Sequence, residues 1–314
     1  MKYITSNPSH SIALIINVAI AFLGSLSHGL TVSSSSQLAQ LASMTTLSID
    51  SGDLNVIQSY ADTGYITDAT TNPLFVSQAG LSGDPKYGSM VDSAVEYALS
   101  ECKGDNDSAV PLAMDCLAVN LGEAISKIVP GYISTEVDPR LSFDTEASVA
   151  RAHRIIEMYS KKGVPRERVL VKIAATWEGI MAAKELELEG IRCNLTLIFS
   201  PVQAIACAQY GAHLISPFPG RILDWHKLQQ GRTEGVPPSE DEGVVAVKKM
   251  YNYFKCFEHD TICMPASWRP SRGPGYELDE IRELAGKKYD DPLKIIMCER
   301  LTHKCVIDLT FCKL

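Results

Sequence analysis

The chain has 314 residues, 46% of them hydrophobic, enough to bury one large core or two ordinary ones, which argues against a disordered or fibrous protein. Its 29 basic and 37 acidic side chains give a formal charge of −8, and no basic stripe interleaved with aromatics runs along it, so nucleic acid is not an expected partner. Nine cysteines without a C-x-x-C pair read as reduced, mostly buried thiols rather than a disulfide framework or a zinc site.

Residues 1–43 stand apart. Ile12 to Leu23 is uncharged, follows Lys2 as the one formal charge, and leads into Ser/Gly-rich sequence, the layout of a signal-type leader. The apolar run is too short for a membrane span, so no span is expected in the mature protein. A start placed upstream of a true one at Met44 reads equally well.

From Thr45 on, short apolar or alternating runs are followed by helix-patterned segments, the signature of β/α units. Strands are expected at Thr46–Asp50, Ile66–Thr70, Ile133–Val137, Val169–Ala174, Cys193–Phe199, Leu214–Phe218 and Thr261–Ser267. Between them, Met90, Val91, Ala94, Val95, Ala98, Leu99 and Cys102 make one helical face. Asp144 is placed to cap a helix whose end Gly163 and Pro165 mark, and Ser200-Pro201 reads as N-cap and first helical position, with Gly211 closing that helix. This order favours an α/β (β/α)8 TIM barrel over a doubly wound sheet, spanning residues 44–286, with an atypical tail at 287–314.

A barrel demands that alternate strand residues point inward, with chemistry at the strands' C-terminal ends. The strands comply. Ser48 and Asp50 oppose Leu47 and Ile49, and Ser134, Glu136 and Asp138 oppose Ile133 and Val137. Lys172 opposes Val169, Val171 and Ile173, while Asn194 and Thr196 oppose Leu195 and Leu197.

Lysine is rarely buried, and burial disfavours the ammonium, so Lys172 inside VLVKIA is a candidate amine nucleophile toward a carbonyl. A snorkelling or ion-paired lysine would look the same. Glu136, Asp138 and Asp50 are placed to move protons, though strand-end carboxylates also cap helices, and Asp138 before Pro139 has the look of a turn residue. Asn72, Asn194 and Thr196 offer directed hydrogen bonds to a polyol or water. Arg221, Ser267 and Arg269 follow strand ends and could together grip a phosphate; each arginine alone reads as a surface charge. No metal-ligand spacing, P-loop, G-x-G-x-x-G or G-x-S-x-G occurs, so no metal or cofactor is expected.

The blocks DATTNP, STEVDPRLSFD, RVLVKIAATWEGIMAAKELE, GIRCNLTLIFS and LISPFPGRILDW, in this order from about Thr45 to Trp268, resemble those of the transaldolase family. The resemblance implies a class I aldolase-type barrel that moves a dihydroxyacetone unit from a ketose phosphate to an aldose phosphate in the non-oxidative pentose phosphate pathway, without cofactor. By matching blocks, Lys172 resembles the Schiff-base lysine and Asp50 the acid/base on the C4 hydroxyl. Glu136 and Thr196 resemble the pair holding the proton-carrying water, and Asn72, Asn194 and Ser216 resemble substrate hydrogen-bonders. Arg221, Ser267 and Arg269 resemble the phosphate clamp. The family further implies sugar phosphates as partners, a homodimer and a cytoplasmic enzyme, whereas a real leader would imply a plastid or the secretory route.

The pattern breaks after Ser267. Where the family runs on into a Glu/Ile-rich helix, this chain reads SWRPSRGPGYELDEIRELAG, as if a short segment preceded Asp279, and Pro265 stands where glycine is expected. Beyond Gly286 the match ends, and Cys305–Phe311 is the expected substitute for the barrel's last strand. A reading-frame or splice error accounts for such a tail better than an unusual isoform. The competing readings are a Schiff-base aldolase working without an acceptor, and a barrel impaired by its altered end.

Overall fold

The structure, a computed structural model, describes residues 36–103, 105–269, 277–285, 293–298 and 308–311. Helix α1 (Gln37–Ala42), capped by Ser36, precedes strand β1 (Thr45–Asp50). Then follow α2 (Leu54–Ala61), β2 (Ile66–Thr70), α3 (Pro73–Gly80), α4 (Pro85–Glu101), α5 (Asn106–Ser126) and β3 (Ile133–Glu136). The middle of the chain gives α6 (Thr145–Lys161), β4 (Val169–Ala174), α7 (Trp177–Leu188), β5 (Cys193–Ile198), α8 (Pro201–Gln209) and β6 (Leu214–Pro217). The last described elements are α9 (Pro219–Gln230), α10 (Glu242–Cys256), β7 (Ile262–Cys263), α11 (Glu277–Ala285), β8 (Leu293–Cys298) and β9 (Asp308–Phe311).

The helix boundaries follow local chemistry. Asp144 Oδ1 accepts from Ala147 N at 2.9 Å to open α6, and Ser200 Oγ accepts from Gln203 N at 3.4 Å to open α8, with Pro201 at the first helical position. Gly163 and Gly211 follow the two helices at φ 75° and 81°, the left-handed turn that glycine takes without steric cost.

The strands pair in the order β7-β6-β5-β4-β3-β2-β1-β8-β9, parallel throughout except for β8 with β9. This curled parallel sheet with helices between its strands is that of a (β/α)8 barrel cut between β7 and β8. The sequence expectation for the last strand needs correcting. Leu293–Cys298 lies parallel beside β1, in register from Thr45↔Leu293 to Asp50↔Cys298, and Asp308–Phe311 returns antiparallel on its outer edge. Chain length explains the choice: β8 follows β7 through α11, long enough for a parallel crossover, whereas residues 299–307 fall short of the dozen or so residues that another parallel crossover needs. The expected strand Thr261–Ser267 is regular only at Ile262–Cys263. Beyond it the chain keeps to β6 on one side, Met264 N donating to Ile215 O at 2.7 Å and Ala266 N to Pro217 O at 2.6 Å.

Side-chain parity separates two apolar regions. Leu47, Ile49, Ile133, Val169, Val171, Ile173, Leu195 and Ile215 join the core between sheet and helices, whereas Leu170, Leu214, Ile262 and Met264 form a separate cluster on the opposite parity, filling the barrel below the polar residues. Helix α5 is long and apolar enough to cross a membrane by composition. Here it packs in the core, with Asp115 and Asn120 buried and Asp115 bound to Arg151 at 2.5 Å.

Helix α1 lies inside the stretch expected to be a leader, yet Leu38 and Leu41 are buried in the main core. Residues 1–35 fall outside the described residues. Of the cysteines, Cys102, Cys116, Cys193, Cys207, Cys256 and Cys263 are free thiols. Burial pushes Cys207 up to about 12, and Cys193 and Cys263 upward as well, so these three behave as small apolar residues.

Candidate active site

Strand register brings the chemistry together. Lys172 on β4 pairs with Glu136 on β3 and with Asn194 on β5, and Thr196 pairs with Ala174 and Ser216. Parallel strands at adjacent register hold these side chains on the inward parity near the strands' C-terminal ends. Lys172 is only 7% exposed. Its Nζ lies 3.1 Å from Glu136 Oε2 and donates to the Thr71 carbonyl at 3.1 Å. An amine held between a carboxylate and a carbonyl has its direction fixed and a proton acceptor in contact.

Behind the lysine, Ser216 Oγ donates to Asn194 Oδ1 at 2.7 Å and Asn194 Nδ2 donates to Ser134 Oγ at 3.1 Å. The relay spans β6, β5 and β3 and fixes which way the Asn194 amide points. The Thr196 hydroxyl is buried without a hydrogen-bond partner among the described residues.

A cavity of about 510 Å3 opens over these groups, lined by Asp50, Asn72, Glu136, Lys172, Thr196, Ser216, Arg221, Ser267 and Arg269. Every predicted site residue except Asn194 and Asp138 therefore faces one space, and Asn194 touches it through Ser216. Asn72 also N-caps α3, its Oδ1 accepting from Phe75 N at 3.1 Å, which leaves its NH2 as the group to turn toward a ligand. Asp138 is not among these residues. It accepts from Arg140 N at 2.9 Å and pairs with the Arg140 guanidinium at 2.5 Å, which holds its carboxyl below the usual range, and it lines a separate cavity of about 280 Å3 behind Asn72 and Glu136. The proline after it ends the strand, so inward parity no longer applies.

The far end of the cavity is cationic. Arg221 stands in the first turn of α9, its guanidinium 5.3 Å from the Phe218 ring centroid. Arg269 is braced by Asp224 at 3.1 Å and by Ser267 Oγ at 3.1 Å, so the residue beside the foreign-looking segment still joins the site. Two details of the backbone permit this. Ser267 sits at φ 62°, and a Cβ on Gly220 would lie 1.9 Å from the Ser267 carbonyl oxygen. Only glycine lets α9 and the 267–269 segment approach so closely.

Sequence reasoning missed three contributors. The Thr71 carbonyl left no trace in side-chain type, although Thr71 adjoins Asn72. Leu197, expected to face outward with Leu195, lines the cavity instead, because a register shift between Thr196 and Ile198 against β6 inserts it as an extra residue at φ 60°. Ile198 accordingly lies in the outer core. Phe218 lines the cavity beside Arg221, which its place in the PFPGR block could have indicated.

Comparison with known proteins places the chain in a family. The family profile described as Transaldolase/Fructose-6-phosphate aldolase matches residues 47–287. The chain is 47% identical over 266 residues to Transaldolase B of Pasteurella multocida (strain Pm70), an overlap of 85% of this chain and 76% of that protein. It is also 47% identical to the Transaldolase of Haemophilus influenzae (strain PittEE) over 268 residues and to that of Alteromonas mediterranea over 269 residues, at the same two coverages. The chain therefore belongs to the transaldolase/fructose-6-phosphate aldolase family, and its relatives named transaldolase are transferases.

Proposed function

We propose that this enzyme transfers a dihydroxyacetone unit between sugar phosphates through a Schiff base on Lys172. One observation carries the reading: a buried amine in contact with a carboxylate, in the same cavity as two arginines. Lys172 Nζ adds to the C2 carbonyl of a ketose phosphate, and the carbinolamine loses water to give an imine. Glu136 takes and returns the protons of this step, through a water shared with the Thr196 hydroxyl. Asp50 removes the C4 hydroxyl proton, the C3–C4 bond breaks, and an aldose phosphate leaves. The electron pair stays on the bound three-carbon unit as an enamine, which attacks the carbonyl of a second aldose phosphate; hydrolysis then frees the lysine. Asn72 and Ser216 bond the unit's hydroxyls, Asn194 fixing Ser216 from behind, and Arg221 with Ser267 and Arg269 grips the phosphate, so that remote binding energy orients the reacting carbons.

Sedoheptulose 7-phosphate or fructose 6-phosphate is the proposed donor, and glyceraldehyde 3-phosphate or erythrose 4-phosphate the acceptor, which places the reaction in the non-oxidative pentose phosphate pathway. The test is product formation from fructose 6-phosphate with and without erythrose 4-phosphate. Transfer requires that glyceraldehyde 3-phosphate appear in step with sedoheptulose 7-phosphate and depend on the acceptor. Equal release without acceptor would replace the reading with simple aldol cleavage, and no product in either case would refute both.

A further inference from the structure

We propose that Gln203 is a positioning residue for the reaction: its side-chain amide holds the left-handed bulge at Leu197 and so sets the Thr196 hydroxyl in the cavity beside Lys172. The inference rests on the proposed role of Thr196 in proton transfer.

Leucine gains nothing from φ 60°, a conformation in which its Cβ crowds the following carbonyl, so the bulge persists only if its surroundings hold it. Gln203 supplies the hold from the first turn of α8. Its Nε2 donates to Leu197 O at 3.2 Å and to Ala175 O at 3.0 Å, while its Oε1 accepts from Phe199 N at 3.0 Å. One side chain thus ties the bulge to the chain two residues beyond it and joins both to the residue just past β4, the strand that carries Lys172. A second tie between the same strand ends, Ala175 N to Thr196 O at 2.7 Å, fixes the residue just before the bulge. Without the bulge, Leu197 would return to the outward parity of Leu195, and the turn of chain that carries Thr196 would be free to shift.

An ordinary reading competes. Ser200 and Gln203 have the spacing of a capping box, in which the third helical residue merely stabilises the helix start. Gln203→Glu separates the two. Glutamate caps as well as glutamine and keeps the acceptor for Phe199 N, but it loses both donors to the Leu197 and Ala175 carbonyls. Positioning predicts that Gln203→Glu stays folded at 25 °C with a modestly lower melting temperature, because a carboxylate then faces two carbonyls, while kcat falls about 10- to 100-fold with little change in KM, the scale of a small misplacement of reacting groups; capping alone predicts no loss of kcat. In a double-mutant cycle, Gln203→Leu should cost far less kcat on a Leu197→Gly background, because glycine takes a positive φ unaided. Amide hydrogen exchange of residues 197–199, read without substrate, should rise in Gln203→Leu and fall back in the double variant.

Unchanged kcat in Gln203→Glu, or equal losses on both backgrounds, would overturn the proposal. A wild-type protein that transfers nothing would instead sink the proposed chemistry, and the exchange data would still judge the hold on the bulge.

Discussion

The lysine end and the arginine end of the cavity are held by different means. Lys172, Glu136 and Asn194 sit within strands paired on both edges, where register alone decides which side chains meet. Arg221, Ser267 and Arg269 lie outside the ladder, on the first turn of α9 and on a segment that has left β7 after two residues. Their meeting depends on one close backbone approach at Gly220 and one left-handed serine. The contrast separates the two ends: Lys172, Glu136 and Asn194 meet through the pairing of the inner strands, whereas the two arginines meet through loop and helix-start geometry outside it.

The comparison can be broken first at the lysine end. Lys172→Met should lower transfer by about 10^4-fold or more, as when a covalent nucleophile is removed. Glu136 then faces the cavity and its water rather than a buried void, so circular dichroism and denaturant titration should show the fold kept at 25 °C with only a modest change in stability. Glu136→Gln keeps the shape and removes the base; kcat should fall about 10^2- to 10^4-fold, with substrate affinity little changed.

At the arginine end the expected effect is smaller and of another kind. Arg221→Ala removes charge-assisted hydrogen bonds of about 1.5–3 kcal/mol, so KM for a ketose phosphate should rise about 10- to 150-fold while Schiff-base formation at saturating donor persists. Equal loss in kcat would mean that the two ends are not separable.

Two further changes leave the site and address the scaffold. A chain starting at Met44 loses Leu38 and Leu41 from the core; at about 1.5–3 kcal/mol per buried leucine, its urea midpoint should fall well below that of a chain starting at Ser36. Asp241, which caps α10 through Gly243 N and Val244 N, is raised to about 6 by burial, with Glu280 and Glu242 adding to the shift. The folded carboxyl then keeps its proton to higher pH than the unfolded one, whose value is 3.8, so stability falls as pH rises from about 4 to about 6 and stays lower above it. Asp241→Asn keeps the cap, and should raise the melting temperature at pH 7 by a few degrees with no gain at pH 4.

The barrel and the lysine end were legible in the sequence because both rest on period-two alternation: a lysine, two asparagines or threonines and a glutamate on the inward parity of apolar strands are visible without coordinates. Leu197 broke that rule through a bulge whose hold, Gln203, lies in the next helix, so no strand pattern could reveal it. Asp138 failed for the opposite reason, since parity was carried past the proline that ended the strand. CVIDLTF and LKIIMC are equally strand-like in composition, and only the length of the crossover decides that LKIIMC pairs with β1. The brace of Arg269 on Asp224 depends on a helix approach that only the glycine at 220 hints at.

The central claim is tested most directly by mixing the protein with fructose 6-phosphate and sodium borohydride, then mapping the modified peptide by mass spectrometry. The account predicts a reduced three-carbon adduct on Lys172, absent from Lys172→Met. A folded, soluble protein that gives no adduct, or one that carries the adduct on another lysine, would contradict it.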